Sequence, residues 1–376
     1  MAQTQQHTTR LNFLSVVWYK VLPPLFGGQK GVFFFMEHLA KHAPLTCLCS
    51  RNNQPSPASF AIDNSLPVSK TQFLQPLCWL KILRKAKRLR TTHLVLEFPY
   101  YGIAGFLCHL ILPVKWIIHS HNIESIRFRL LNKRWWRLLY LFEKWTLRKA
   151  DAVLFKTEKD RRYAIQHFGL NAKKTFVVPY GVLPQPVVDK RAARVLICER
   201  HKIPISTNLL LFAGTLDYAP NAEALTNLVQ QVLPRLNQTV LTYKVLVCGR
   251  IERSSFAYLR SLQGEKLLYA GAVDDMETYF AAADVFVNPV ATGGGVQTKS
   301  IDALNHHLNV VCFQQMTEGI HGANGKLFTA PDKNWNAFAD AIVHALQNPQ
   351  PTPPDFFSHH DWNNIAAKAF QFLQTI

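Results

Sequence analysis

The sequence predicts an α/β protein built from two doubly wound parallel sheets, and three observations carry that expectation. At 376 residues the chain is longer than one core of ordinary size fills, so about two domains are expected. Short apolar runs alternate with helical patterns along nearly all of it, as parallel strands joined by right-handed crossovers require. In the second half, glycine-bearing turns at Gly214, Gly249, Gly271 and Gly293 to Gly295 close four successive strands, and that is the ligand-binding edge of such a sheet.

In the first half, Leu11 to Trp18 reads as a strand, followed by a Gly27-Gly28 turn into a helical segment from Val32 to His42. That turn lacks the spacing of a dinucleotide fingerprint and the Lys-Ser/Thr pair of a P-loop. Pro44 to Ser50, Thr92 to Phe98, Val114 to His119, Asp151 to Lys156 and Thr175 to Val178 read as strands. Between them lie a loop at 51–59, a basic helix around 79–90, one long helix over 126–149 and a helix over 157–168. His121 and Glu124 follow the strand that ends at His119, where open sheets hold their ligands. They are the candidate functional residues of this half, the alternative for His121 being a hydrogen-bonded structural histidine.

Charge is distributed unevenly. Residues 1–185 carry 27 basic and 8 acidic side chains, the remainder 15 and 16, so the first half is about +19 and the second about −1. Such a field suits an anionic partner: a membrane surface, a nucleic acid or a polyanionic substrate. Segment 126–149 mixes eight basic residues with Trp135, Trp136, Trp145, Phe128 and Phe142, the pattern of an interfacial helix on anionic lipid. The alternative is a core helix with a solvated basic face. Nucleic acid is disfavoured, because bulky apolar residues interrupt the basic ones and no nucleic-acid motif is present. Composition, at 48% hydrophobic and 18% charged, excludes a disordered chain. Neither a secretory signal nor a spanning helix is evident, and seven cysteines within apolar runs suit buried thiols in a reducing compartment, hence a cytoplasmic location.

Prolines 184 and 186 with the charged run at 189–194 mark a linker. Beyond it, strands at 208–212, 243–248, 267–269, 285–289 and 309–313 alternate with helices at 222–236, 276–283, 335–346 and 361–375. The stretch from Asn288 to Leu304 is the most informative. Its glycines lead from a strand into a helix, a junction whose backbone N–H groups and dipole suit a phosphate. Lys299 could add a full charge and Asp302 could accept from ribose hydroxyls; the alternative is an i, i+3 pair on a solvated helix face.

Taken in order, Leu211-Phe-Ala-Gly214-Thr215-Leu-Asp-Tyr-Ala-Pro-Asn, Val247-Cys-Gly-Arg250, Gly271-Ala-Val-Asp-Asp, the run from Pro289 through Gly295-Val296-Gln-Thr-Lys299-x-x-Asp302, and Glu318-Gly319 resemble the group 1 glycosyltransferases of family 4. The first half is similar more loosely, through Gly27-Gly28, His121-Asn122-x-Glu124 and Pro179-Tyr180-Gly181-Val182. The resemblance implies a GT-B enzyme of two Rossmann-like domains facing a cleft: 1–185 on the acceptor side, a linker at 186–204, a nucleotide-sugar domain at 205–356, and a terminal helix at 357–376 that is a candidate to cross back to the first domain.

It further implies a hexosyltransferase-type, nucleotide-sugar-dependent enzyme of polysaccharide biosynthesis with retained anomeric configuration. Gly214, Thr215 and Arg250 would line the nucleotide, Gly295, Val296 and Lys299 would meet the diphosphate, and Asp302 would hold the ribose. Gly27 and Gly28 would approach the phosphates or sugar, His121 would stand beside the reacting centre, and Glu124 and Glu318 would lie on the acceptor or sugar side. No Asp-x-Asp motif is present, so neither a bridging metal nor a cofactor is expected. The acceptor is expected to be a saccharide or lipid-linked, and the protein peripheral at the inner membrane face through 79–90 and 126–149.

The chain departs from many relatives in carrying Gly294 in place of a glutamate, Thr215 in place of a basic residue, and Asp302 in place of the ribose-binding glutamate. Asp302 and Gly294 leave open a catalytically inactive partner subunit, and the basic first half a polyanion- or nucleic-acid-binding protein.

Overall fold

The computed structural model describes residues 11–185, 190–262, 264–292 and 295–376. The chain divides into two compact units, Met1–Gly181 with Trp362–Ile376, and Val182–Asp361. Each is a parallel sheet with helices on both faces.

The first unit runs β1 (Phe13–Val17), α1 (Gly27–Leu39), β2 (Leu45–Ser50), β3 (Ala61–Leu66), α2 (Pro76–Arg88), β4 (His93–Glu97), α3 (Gly102–Ile111), β5 (Lys115–Ser120), α4 (Glu124–Leu130), α5 (Trp136–Lys149), β6 (Ala152–Phe155), α6 (Glu158–Tyr163) and β7 (Thr175–Val177). Its seven strands, all parallel, lie in the order β3-β2-β1-β4-β5-β6-β7. Alternation along the strands divides the core in two. Phe13, Val17, Cys47, Val95 and Leu154 face α1, whereas Leu14, Val16, Leu48, Leu96 and Phe155 face α2 and α3. On the α1 side the core is completed by Trp362, Ile365, Ala369 and Leu373 from the far end of the chain. A Cβ on Gly181 would stand 2.5 Å from the Trp362 indole, so only glycine lets that ring close over the chain there.

The second unit runs α7 (Lys190–His201), β8 (Asn208–Ala213), α8 (Ala219–Asn227), a π-helical turn into α9 (Leu233–Leu236), β9 (Tyr243–Cys248), β10 (Leu267–Gly271), α10 (Met276–Ala282), β11 (Val285–Asn288), α11 (Thr298–Asn305), β12 (Asn309–Phe313), β13 (Leu327–Ala330), α12 (Trp335–Gln347) and α13 (Pro354–His360). Its six parallel strands lie in the order β10-β9-β8-β11-β12-β13. Helix α14 (Trp362–Leu373) then belongs to the first unit.

Three sequence-based expectations are corrected. The single helix expected over 126–149 is two, because Asn132 takes φ 52° and ends α4. Lys133 N–H donates to Phe128 O and Asn132 N–H to Arg129 O, the Schellman closure that turns the chain aside. The linker expected over 186–204 holds α7 from residue 190, with Ile197 and Cys198 buried against α10 and Arg194 paired to Asp284 at 2.9 Å. Residues 186–189 lie outside the described residues. Strands β3 and β13 were not anticipated: both are edge strands, and the polar centre of Ala-Ile-Asp-Asn-Ser-Leu reads as loop.

Candidate active site

Both sheets reverse their winding once, β1 against β4 in the first unit and β8 against β11 in the second. At such a switch point the flanking loops diverge and leave a crevice beyond the carboxyl ends of the strands. The candidate residues lie on the loops of these two edges and in the helices that follow them.

In the first unit α1 begins at Gly27 directly after the β1 loop, and a Cβ built on Gly28 meets nothing within 4 Å. Packing therefore does not demand glycine at 28, while a bare backbone would admit close approach by a ligand. Opposite, β4 ends at Glu97, β5 leads to His119 and His121, and β6 is followed by Lys156. These four side chains form one buried cluster. His121 Nε2 stands 2.6 Å from Glu97 Oε2, and His119 Nδ1 2.9 Å from the same oxygen. A carboxylate only accepts, so His121 carries its proton on Nε2 and keeps Nδ1 as a lone pair.

Burial pushes the Glu97 carboxyl up, but His119 and His121 outweigh it and hold it well below the usual carboxylate range. Burial also lowers both imidazoles, His119 to about 3, against the attraction of Glu97. Lys156 is brought down to about 8 by burial, with Glu97 opposing. At neutral pH the cluster thus holds one carboxylate, one ammonium and two neutral rings. Among the described residues, Glu97, His119 and His121 are also the one trio whose ligand atoms lie close enough for a metal ion. His121 Nε2 is engaged as a donor to the carboxylate, however, and a buried ammonium lies beside the trio, so the arrangement suits a hydrogen-bonded ion cluster better than a cation.

Phe98 has φ 71° and ψ 162°, a region nearly confined to glycine, which costs about 1–3 kcal/mol. Its ring stacks on His121 at 4.5 Å. The strained residue therefore sits against the candidate catalytic imidazole, fixing it from one face while Glu97 holds its edge.

Glu124 is buried, and its Oε2 accepts from Tyr100 Oη at 2.5 Å and Arg127 at 3.0 Å. Its carboxylate is therefore engaged within the protein. Glu143 of α5 accepts the backbone N–H groups of Glu124 and Ser125 at 2.8 and 2.9 Å, capping the start of α4. Burial drives its carboxyl up to about 7 despite those donors and Ser125. Glu97, Phe98, Lys156 and Glu143 were all missed as site residues. For Glu97 and Lys156 the signal was present, since both stand at the carboxyl ends of strands adjoining the one that leads to His121.

In the second unit Gly214 and Thr215 follow β8, and Gly249 and Arg250 follow β9. A Cβ on Gly249 would lie 2.0 Å from Gly214 O, so the two turns pack backbone against backbone. Leu216 N–H donates to Arg250 O at 3.2 Å, while Arg250 pairs with Glu252 at 3.0 Å. Asp217 accepts the N–H groups of Glu252 and Arg253, and the Arg253 bond above all lowers its pKa. After β11, Asn288 donates to Ser300 Oγ and Gln297 Oε1, fixing the start of α11. Gly295 takes φ 90°, and Val296 joins it to the helix; Gly293 and Gly294 lie outside the described residues. Thr292 donates to Glu223 of α8, and Gln315 to Ala291 O, which draws the β8, β11 and β12 loops to one edge. Glu318 lies half-buried in the β12 loop. Lys299 and Asp302 form the i, i+3 pair, at 3.1 Å, with the ammonium 5.9 Å from the Phe280 ring centre.

Residues 207–348 match the family described as glycosyl transferases group 1, and residues 27–185 that described as glycosyltransferase family 4. The chain belongs to the group 1, family 4 type of GT-B glycosyltransferases. Among solved structures it is similar to a sucrose-phosphate synthase from Thermosynechococcus elongatus, with 17% identity, 97% of this chain and 98% of that one covered, and a TM-score of 0.73. A glycosyltransferase from Rickettsia africae matches with 13% identity, 98% of each chain and a TM-score of 0.73. HepE from Anabaena, in complex with UDP, matches with 13% identity, 97% of this chain, 100% of that one and a TM-score of 0.70. Curated protein sequences return no match.

Proposed function

We propose that this glycosyltransferase moves a sugar from a nucleotide-activated donor to a saccharide or lipid-linked acceptor, with retention and without metal. The observation that carries the reading is the placement of the Gly214–Arg250 turns and the Gly295–Asp302 helix start on one carboxyl edge, flanking the switch point of the second sheet. Departure of a nucleoside diphosphate builds negative charge on its terminal phosphate, and the α11 N–H groups with Lys299 answer it most strongly in the transition state. The Lys299–Asp302 pair fits this reading as a resting state. Ribose hydroxyls donating to Asp302 release the ammonium, which then turns to phosphate. The structure of HepE holds UDP, and that of a trehalose-6-phosphate protein from E. coli holds UDP-2-fluoro glucose, which supports a nucleoside diphosphate as the donor's handle.

In the first unit, His121 presents a neutral Nδ1 at the sheet edge and is the residue we place beside the reacting carbon. Glu318 is placed on the sugar side. Seven free, buried cysteines support a cytoplasmic site of action. For residence at an anionic membrane, the support is the α4–α5 segment, where Leu130, Leu131, Trp135, Leu138 and Leu141 are each at least half exposed. Residues 125–142 between them contain five basic side chains and no acidic one. The α2 helix supports it less, because Lys81 and Lys85 turn inward to Ser65 O and Asp63. No described helix is long and apolar enough to cross a membrane.

The test is thermal stabilisation by a panel of nucleoside diphosphates and sugar nucleotides, with Lys299→Ala alongside. A ligand at a hundred times its Kd adds about 2.7 kcal/mol of stability. A shift with one nucleotide, reduced in Lys299→Ala, is expected; turnover with that donor, its product's anomeric configuration read by NMR and its rate unchanged by chelator, completes the reading. No shift with any nucleotide would refute it, and binding without turnover would leave the inactive partner subunit.

A further inference from the structure

A cavity of about 370 Å³ lies among α4, α5 and α6, lined from Ser125 at the start of α4 to Tyr163 at the end of α6. Ile126, Tyr140, Leu141 and Tyr163 give it a largely apolar wall, and Arg129 and Arg137 stand at its exposed rim. Both guanidiniums lie against the Trp136 ring, at 5.7 and 5.6 Å from its centre, and among the described residues no carboxylate pairs with either. Ser125 lines the cavity with only 1% of its surface exposed. Leu141 of its lining is exposed, as are Leu130 and Leu138 on the same two helices.

We propose that this cavity binds one phosphate-bearing lipid, a hydrocarbon chain occupying the apolar interior and the phosphate held at the rim by Arg129 and Arg137. The two halves of the site call for the two halves of that ligand. Two guanidiniums at one rim suit a phosphate through charge-assisted hydrogen bonds, whereas a phosphate alone has no use for the apolar interior. A neutral chain alone would leave both cations unanswered. The inference rests on the membrane reading above, since the exposed leucines would sit in the bilayer surface from which such a lipid is drawn.

Decyl phosphate, inorganic phosphate and decanol serve as probes of the full-length protein, by calorimetry and thermal shift. Decyl phosphate is expected to bind and stabilise, inorganic phosphate and decanol far less. Arg129→Gln with Arg137→Gln removes two charged contacts and is expected to weaken decyl phosphate binding about a hundredfold, at roughly tenfold for each contact, while the nucleotide-induced shift stays as in wild type. Equal binding of inorganic phosphate, or decyl phosphate binding untouched by the double substitution, overturns the assignment. Co-sedimentation with phosphatidylcholine vesicles, with and without phosphatidylglycerol, tests the membrane reading separately. Vesicle binding without decyl phosphate binding removes the cavity and keeps the membrane, and the reverse result keeps the cavity as a site for a soluble phosphorylated chain.

Discussion

Glu97→Gln is the perturbation that tests the buried cluster most directly. In the wild type at pH 7 the Glu97 carboxylate faces the Lys156 ammonium and accepts from His121 Nε2 at 2.6 Å. Glutamine keeps an acceptor for His121 but loses the charge, which weakens that bond by about 1–2 kcal/mol. Lys156 is then a buried cation without a counter-charge, and it can escape by shedding its proton. Because its folded pKa is already about 8, that escape costs about 1 kcal/mol at pH 7. The whole penalty is therefore about 2–3 kcal/mol at pH 7. The sign of its pH dependence follows from the depressed lysine. The wild type gains stability once pH passes 8, where the folded ammonium deprotonates ahead of the unfolded one, whereas the variant begins that gain at lower pH. Raising the pH from 7 to 9 should shrink the penalty by about 1 kcal/mol. Urea unfolding at the two pH values reads it, and Lys156→Met should cost less in the Glu97→Gln background than in the wild type. A penalty equal at both pH values, or a Lys156→Met cost independent of residue 97, would refute the assignment of the charges.

Glu143→Gln should also gain on the wild type as pH rises, here because the wild type loses stability. A carboxyl raised to about 7 lends stability that is full below its ordinary pKa and lost as pH climbs through 7. The variant should therefore improve relative to wild type by up to about 3 kcal/mol between pH 5 and 8, measured by urea midpoints, and a pH-independent difference would contradict the shift. Gly249→Ala forces a methyl group onto Gly214 O, and should destabilise the second unit by about 1–3 kcal/mol and reduce nucleotide-induced stabilisation. An unchanged melting curve would show that the two turns can part.

The α/β alternation was legible because strands buried on both faces read as apolar runs, as Val285 to Asn288 and Tyr243 to Cys248 do. What was hidden depends on contacts distant in sequence. Nothing local in Ala61 to Leu66 announces a strand, since its pairing with β2 supplies the reason. Likewise the basic, tryptophan-rich character of 126–149 was plain, but the break at Asn132 takes a single left-handed residue amid strong helix formers. In the site, the strand-to-helix junction after β11 could be read from its glycines. The Lys299–Asp302 pair was an open alternative, and only coordinates show that the two side chains meet. The partners of His121 come from three strands, so their convergence is a property of the sheet order.

The placement of Trp362 to Leu373 has a consequence for the order in which the protein can be made. The second unit is one continuous span, Val182–Asp361, and all of its residues are available before the last helix leaves the ribosome. The first unit, although most of it is synthesised earlier, lacks Trp362, Ile365, Ala369 and Leu373 until then, and holds an open apolar face over α1. The domain begun first is thus the domain finished last.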